Sequence, residues 1–239
     1  MSNIAFPEVI CGLISEYSYE NKLLQWIDIN KLDWSVLSCN PAAIELLIAN
    51  PKKINWNWLS SNPAAIHLLE AYFSRINWGW LSGNSAAIHL LEANFNKINW
   101  GWLSGNSAAI HLLESNFNKI EWYYLSGNPT AMPLLLANSE RINWDRLSSN
   151  PAAIPLLLAN PERINWTFLS ENPAAIELLK AHPSRVNIIC LCCNIAAMDL
   201  IYHHLISSNQ DKINYMGLSR NPSIFTNNKK EIYDYLLLV

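Results

Sequence analysis

The chain has few charged residues and no long apolar run. Charged side chains make up 15% of its 239 residues, with 16 Lys and Arg against 19 Asp and Glu, and the formal net charge is −3. Nucleic-acid binding through phosphates needs a dense basic stripe, so this composition argues against nucleic acid as a partner. No run of 18 apolar residues occurs, and we therefore expect neither a membrane span nor a membrane partner.

The beginning of the chain and its cysteines indicate the compartment. The N-terminal residues lack a basic start followed by an apolar stretch, so we expect no secretory signal. The five cysteines are an odd number, spread between the two ends of the chain: Cys11, Cys39, Cys190, Cys192 and Cys193. This pattern favours reduced thiols and a cytoplasmic location.

Motifs that carry catalysis are also missing. The sequence offers no nucleophile accompanied by a base and an orienting group, no phosphate-binding loop and no paired carboxylates in a pocket. We therefore expect a protein that is not an enzyme and that needs no cofactor.

What the sequence does have is a repeat of 22 residues without insertions. It begins at Trp34, and Ile188 takes the eighth position; Tyr215 follows in a ninth unit after a step of 27 residues. A period of this length is typical of stacked repeat arrays. The tryptophans at the repeat position are Trp34, Trp56, Trp78, Trp100, Trp122, Trp144 and Trp166.

Each unit is expected to contain two short helices. Asn40-Pro41 places a capping side chain and a proline at the start of the longer helix, and Asn50-Pro51 ends it. Asn55 can cap a shorter turn that carries Trp56. The competing interpretation is a leucine-rich-repeat strand. It needs an apolar residue five positions before Asn40 and its equivalents, where polar residues or glycine mostly stand. The strand is therefore rejected, and the capping role accounts for the Asn positions.

One unit cannot bury enough apolar surface to fold alone, so neighbouring units must share a continuous core. We predict an all-α fold, an alpha solenoid of about eight to nine 22-residue two-helix repeats with N- and C-terminal capping helices. Residues 1–239 form a single repeat domain: an N-terminal cap at 1–30, tandem repeats at 31–225 and a C-terminal capping helix at 226–239. At ~8–10 Å per helix pair, the array would be a rod or arc roughly 70–90 Å long.

The outward side of the longer helix is the first candidate surface. Histidines and glutamates occupy it in three repeats, where solvent-exposed side-chain pairs are the simplest explanation. In two later repeats proline and leucine replace them, which leaves either an apolar protein-binding patch or leucines that pack beneath a neighbouring segment. The candidate protein-binding surface comprises His67, Glu70, His89, Glu92, His111, Glu114, Pro133, Leu136, Pro155 and Leu158.

A column of aromatic residues two positions after the repeat tryptophan is the second candidate. Such a ladder could stack bases or clamp an extended peptide. Alternatively, the rings pack on one another along the array and add to the core, which is the interpretation we favour. The candidate aromatic ladder comprises Trp58, Trp80, Trp102, Tyr124 and Phe168, with Val36 and Arg146 as departures.

A third candidate is Cys190, Cys192 and Cys193, which precede His203 and His204. Thiolates and imidazoles are the ligands of zinc sites. However, Cys192 falls in the small-residue position of Ser60, and Cys190 falls in the aromatic column. We therefore expect structural cysteines and no metal site.

Written out, the unit I-N-W-x-x-L-S-x-N-P-A-A-I-x-L-L-x-A-N-P resembles the short tandem repeats of many uncharacterised proteins from giant viruses and other large nucleocytoplasmic DNA viruses. The resemblance spans roughly residues 30–225 and keeps Trp, Leu-Ser, Asn-Pro and Leu-Leu in phase. More distantly the unit resembles the leucine-rich-repeat variant, whose two short helices per unit coil into a right-handed array. The cap proline is replaced at Ser85, Ser107 and Ile195. The family implies a viral origin and an architecture, and carries no catalytic residues to transfer.

Together these observations predict a non-enzymatic scaffold for protein–protein interaction, with a host or viral protein as partner and a place in the host cytoplasm if viral. Two other functions stay open. One is single-stranded nucleic-acid binding through the aromatic ladder, and the other is a structural role in a virus particle.

Overall fold

A computed structural model describes residues 21–25, 27–207 and 213–227 of the chain. It confirms an all-α repeat solenoid in which short helices recur about every 22 residues. Nine repeats are present, numbered here from repeat 1, which contains Trp34, to repeat 9, which contains Tyr215.

Each repeat opens with a short α-helix that carries the repeat tryptophan, which is replaced by Ile188 in repeat 8 and by Tyr215 in repeat 9. The residue before it is the N-cap: the Asn55 side chain, for example, accepts hydrogen bonds from the backbone N–H groups of Asn57 and Trp58, as Asn does in this position generally. These nine helices are Trp34–Leu37, Trp56–Leu59, Trp78–Ser82, Trp100–Ser104, Trp122–Ser126, Trp144–Ser148, Trp166–Ser170, Ile188–Leu191 and Tyr215–Arg220.

The predicted longer helix is divided into two parts. The capped Asn-Pro start forms a single 3₁₀ turn, because Ala43 at its end (φ −90°, ψ 3°) departs from α-helical geometry, and the α-helix begins one residue later. The 3₁₀ turns are Pro41–Ala43, Pro63–Ala65, Ser85–Ala87, Pro129–Ala131, Pro151–Ala153, Pro173–Ala175 and Pro222–Ile224. The outer α-helices are Ile44–Ala49, Ile66–Ala71, Ile88–Ala93, Ile110–Ser115, Met132–Leu136, Ile154–Leu158, Ile176–Ala181 and Met198–Ser207.

A second 3₁₀ turn, called here the closing turn, leads from the outer helix of each of repeats 1 to 7 to the next repeat, and it ends in Lys or Arg. Seven of these turns follow repeats 1 to 7, and an equivalent turn, Ile29–Lys31, precedes repeat 1. The seven are Pro51–Lys53, Phe73–Arg75, Phe95–Lys97, Phe117–Lys119, Ser139–Arg141, Pro161–Arg163 and Pro183–Arg185.

The core is a continuous band shared by neighbouring repeats. Three apolar positions per repeat, represented by Leu59, Ala65 and Leu69 in repeat 2, have no exposed surface, and the repeat tryptophans pack against this band while partly exposed. Each repeat therefore completes its core only with its neighbours, as the marginal stability of isolated short helices requires.

Buried Asn and Ser side chains join each repeat to the one before it. In repeat 2, Asn62 Oδ1 accepts from the Ala64 N–H, while its Nδ2 donates to the carbonyl oxygens of Ser38 and Asn40, both at 3.0 Å. The Ser38 hydroxyl in turn accepts from the Asn55 N–H at 3.0 Å. Capping therefore explains only the side-chain oxygen of the Asn. Its side-chain nitrogen joins each repeat to the one before it. The nine equivalents are Asn40, Asn62, Asn84, Asn106, Asn128, Asn150, Asn172, Asn194 and Asn221.

The array closes on itself. Asn40 in repeat 1 donates to the carbonyl oxygens of Ser219 (3.1 Å) and Asn221 (3.0 Å) in repeat 9, and the Asp33 N–H donates to the Ser219 hydroxyl at 2.8 Å. These are the same bonds that join repeat 2 to repeat 1. Because the first and last repeats form an ordinary joint, the nine repeats make a closed ring.

The ninth repeat is assembled from both ends of the chain. Its first part comes from residues 215–227, and the turn Ile29–Lys31 takes the place of its closing turn. Strand β1 (Asn21–Leu23) pairs antiparallel with strand β2 (Phe225–Asn227), with Leu23 opposite Phe225. Leu32 and Asp33 then occupy the core and capping positions that Ile54 and Asn55 occupy in the next repeat.

The expectation of an open rod or arc is therefore wrong, because each joint turns the array by about one ninth of a circle and the ends meet. The described part of the expected N-terminal cap contains strand β1 and the start of the 3₁₀ turn Ile29–Lys31, and that of the expected C-terminal cap contains the end of strand β2. The rest of the two expected caps, residues 1–20 and 228–239, lies outside the described residues.

Candidate interaction surfaces of the ring

The ring has an inner and an outer wall. In a closed ring, the elements whose equivalents approach most closely lie nearest the axis. The tryptophan-bearing helices of neighbouring repeats pack directly on one another, whereas the outer helices contact chiefly the short elements of their own repeat. The outer helices therefore form the outer wall, which carries the predicted protein-binding residues.

On the outer wall, histidine and glutamate pair between repeats. His89 Nε2 lies 3.1 Å from Glu70 Oε1, and His111 Nε2 lies 2.9 Å from Glu92 Oε1. The pair within one repeat, His67 with Glu70, is longer at 3.7 Å. All of these side chains are substantially exposed, so the pairs form a weak ladder across the surface of repeats 2 to 4.

This ladder ends where an apolar patch begins. Leu136 and Leu158 occupy the glutamate position of repeats 5 and 6 and are 57% and 56% exposed. Pro133 and Pro155, at the histidine position, are also exposed. The four residues form the outer patch, and the leucines do not pack beneath a neighbouring segment.

Charged residues border the outer patch on both sides. On the repeat 4 side stands Glu114, with which none of the described residues forms an ion pair, because Pro133 replaces the histidine that would meet it. On the repeat 7 side, Glu177 forms an exposed ion pair with Lys180 at 2.8 Å. The patch is thus apolar at its centre, with the Glu114 carboxylate at one margin and the Glu177–Lys180 ion pair at the other.

The aromatic column lies on the tryptophan-bearing helices, and its rings pack on one another. Ring centroids are 4.5 Å apart for Trp58 and Trp80, 4.9 Å for Trp80 and Trp102, and 5.6 Å for Trp102 and Tyr124, all with tilted planes. Because successive rings face each other, no base can enter between them without separating the repeats.

Arginine side chains contact aromatic rings where the aromatic column is interrupted. The Arg146 guanidinium lies 5.6 Å from the Tyr123 ring centroid and 5.9 Å from that of Phe168, the last member of the predicted ladder. Arg220 lies over the Trp58 ring at 5.3 Å. Cation–π contacts therefore continue the stacking along this wall. In the described part of the chain, Arg146 Nε is the one buried side-chain nitrogen or oxygen without a hydrogen-bond partner.

The four cysteines of the described residues lie around the seam of the ring, the joint between repeats 9 and 1. Burial and the neighbouring Glu171 carboxylate raise the pKa of Cys190 and of Cys193 to about 11. Burial also raises the pKa of Cys39 and of Cys192, against the opposing effect of Arg220 on Cys39 and of the Asn214 N–H on Cys192. These are neutral thiols at physiological pH, and such thiols are poor nucleophiles and poor metal ligands.

The candidate grouping of cysteines and histidines does not have the geometry of a metal site in the described residues. No cluster of three or more His, Cys, Asp or Glu side chains there is arranged to hold a metal ion. Cys192 takes the serine position of its repeat, as predicted, and packs against Gly217. His203 and His204 belong to the helix Met198–Ser207, but their side chains lie outside the described residues.

One set of surface residues was not among the predicted sites. Lys or Arg stands three residues before the repeat tryptophan, at the end of each closing turn. The sequence signal was present, since this position is basic in successive repeats. Its significance depended on knowing that the array closes, which places the equivalent residues on one circle.

Comparison with known proteins finds no matching family model, no matching curated protein and no matching solved structure. Among the helices of the described residues, none has the length and apolar character needed to cross a lipid bilayer.

Proposed function

We propose that the ring is a non-enzymatic scaffold that binds a protein partner through its outer wall, with the outer patch at the centre of the contact. The observation that carries this proposal is the exposure of Leu136 (57%) and Leu158 (56%) in adjacent repeats. Exposed apolar side chains that stand together are typical of protein-binding surfaces.

The repeat architecture supports the choice of these residues. At the same position, repeats 2 to 4 carry Glu70, Glu92 and Glu114, and repeat 7 carries Lys180. The leucines contribute nothing to the core, which is complete through Leu135 and Leu157, both without exposed surface. A side chain that is apolar, exposed and unnecessary for packing is best explained by a contact outside the chain.

The margins of the outer patch indicate the chemistry of a partner that would suit it. An apolar centre with Glu114 on one side suits a helix that presents aliphatic side chains with a basic residue at one end. Together with the resemblance to tandem repeats of large DNA viruses, this supports a viral protein that acts in the host cytoplasm on a host or viral partner.

The first prediction tests the outer patch. The double substitution Leu136→Glu/Leu158→Glu should abolish binding of the partner without lowering the melting temperature, because both side chains are exposed. Partners are identified by affinity purification and quantitative mass spectrometry, and binding is then measured by titration of the purified partner.

The matched control is Ile195→Glu/Met216→Glu, which adds the same charge at residues that are 51% and 55% exposed outside the patch. This variant should bind the partner as the wild type does. If no partner distinguishes the patch variant from the control, the outer patch is not the binding surface.

A further inference from the structure

Half of the basic residues of the chain occupy the same position of the repeat. Eight of its 16 Lys and Arg end the closing turns. Because equivalent positions of a closed ring share one circle, these residues form a basic rim although the net charge of the chain is −3. The basic rim comprises Lys31, Lys53, Arg75, Lys97, Lys119, Arg141, Arg163 and Arg185.

Each cation of the basic rim is held against an aromatic ring. Distances from the charged group to the nearest ring centroid run from 3.9 Å for Lys53 over Trp34 to 5.6 Å for Arg75 over Trp56. Lys31 crosses the seam to lie 5.3 Å from the Tyr215 ring centroid. The cations are therefore placed in order along the surface, and most of them are exposed.

Acidic residues offset two cations of the basic rim. Glu140 and Glu162 stand beside Arg141 and Arg163 at 3.6 and 3.8 Å and offset their charge. Glu121 follows Lys119 at the next capping position.

Of the other six cations, the four consecutive ones from Lys53 to Lys119 are named here the basic arc. No ion pair neutralises its cations among the described residues. In its repeats Glu70 and Glu92 are instead paired with histidines on the outer wall.

Exposed aromatic rings alternate with the cations of the basic arc. Phe73, Phe95 and Phe117 are 44%, 43% and 42% exposed, and each meets the tryptophan of the next repeat edge to face at 5.5 to 5.7 Å. Lys97 and Lys119 each lie over one of these rings as well, at 5.3 and 5.2 Å. The rings thus keep solvent-accessible surface beside an ordered row of positive charges.

We infer that the basic arc binds single-stranded nucleic acid, with phosphates on Lys53, Arg75, Lys97 and Lys119 and bases on the exposed phenylalanines. One cation per repeat suits a polymer that carries one charge per monomer, and flat bases stack on aromatic rings where lipid headgroups and acidic side chains do not. The sparse basic composition argued against nucleic acid only as long as the cations were assumed to be dispersed.

The inference concerns a different surface from the outer patch. It also differs from base stacking on the aromatic ladder, whose ring faces are covered by one another. The variant Leu136→Glu/Leu158→Glu should therefore retain nucleic-acid binding, so the two proposals succeed or fail separately.

The second prediction is tested by fluorescence anisotropy of a labelled 20-nucleotide single strand, titrated with the full chain at 50 and 200 mM NaCl. Wild type should bind at the lower salt and weaken steeply at the higher. Lys97→Gln/Lys119→Gln should bind roughly tenfold more weakly at 50 mM, with a salt slope reduced by about 1.4, or about 0.7 per lost phosphate contact. Phe95→Ala/Phe117→Ala should lower affinity roughly tenfold through lost stacking.

Two further variants separate phosphate contacts from folding. Lys97→Arg/Lys119→Arg keeps charge and cation–π contact and should bind as wild type does, while Lys180→Gln removes a cation from the outer wall and should have no effect. Equal weakening by Lys180→Gln and by the rim variant would overturn the inference. An anisotropy that does not change when wild type is added at 50 mM NaCl would also overturn the inference. That holds equally if the rim is found to bind phosphatidylserine vesicles or polyglutamate in place of the single strand.

Discussion

At the scale of single residues, the buried asparagines hold the ring together. The Asn62 side chain uses its oxygen as a helix cap and its amide nitrogen for two bonds to the preceding repeat. By contrast the side chain of the capping residue before the tryptophan makes no buried bond to the preceding repeat. The Asn55 side chain accepts from two backbone N–H groups, and where Asn donates from this position, as Asn77 does, the bond is exposed. Acidic residues stand at this position in Asp33 and Glu121. All nine repeats keep Asn at the first position because aspartate lacks the donor.

The third prediction follows from this difference. Asn62→Asp should lower the free energy of unfolding by about 3 kcal/mol or more, since two buried carbonyl groups lose their donor and face a carboxylate. Asn55→Asp, which keeps an acceptor at a partly exposed cap, should change it by less than about 0.5 kcal/mol. Chemical denaturation followed by circular dichroism measures both, and equal effects would show that Asn62 serves as a cap alone.

At the scale of elements, no helix of the ring is stable by itself. The outer helices of repeats 1 to 7 have five or six residues, well below the roughly 12–15 residues that an isolated helix needs in water. The longest, Met198–Ser207, has ten and lies where the ninth unit follows after a longer step. Each element depends on a neighbour for burial of its apolar face.

The fourth prediction concerns that dependence. A fragment of residues 76–119, which contains repeats 3 and 4 without their neighbours, should show little helical signal and no cooperative thermal transition. The full chain should show both. A sharp melting transition of the fragment in far-ultraviolet circular dichroism would mean that two repeats suffice for a core.

At the scale of the whole molecule, closure removes both exposed ends of the solenoid. An open array must cover its first and last repeats, whereas here repeat 9 offers Ser219 and Asn221 to Asp33 and Asn40 as any repeat does to its successor. The β1–β2 pair and the turn Ile29–Lys31 add a clasp made from both ends of the chain.

The fifth prediction tests closure in solution. Small-angle X-ray scattering should give a maximum dimension well below the roughly 70–90 Å expected of an open stack. The variant Asn40→Ala/Asp33→Pro removes the three hydrogen bonds that Asp33 and Asn40 form with repeat 9, and it should increase that dimension. Asn55→Asp is its control. A wild-type profile of a 70–90 Å rod would contradict the ring.

Sequence reasoning accounted for the elements and the buried columns because these follow from local chemistry. Asn-Pro starts, tryptophan–leucine spacing and the 22-residue period act within one repeat or between adjacent ones, and a single sequence displays them directly. The same reasoning located Leu136, Leu158 and the aromatic column. It assigned the Asn62 side chain only one of its three bonds, because the two carbonyl acceptors lie 22 and 24 residues earlier.

Only the tertiary structure decided that the array is a ring. The angle between repeats arises from the packing of many side chains across each joint, and small changes in it accumulate over nine joints into either a rod or a circle. Closure in turn decided that Ile29–Lys31 belongs to repeat 9 and that eight scattered cations form one rim. The sequence by itself determined the repeat unit and its core, and the summed geometry of its joints determined the shape of the molecule and the surfaces it presents.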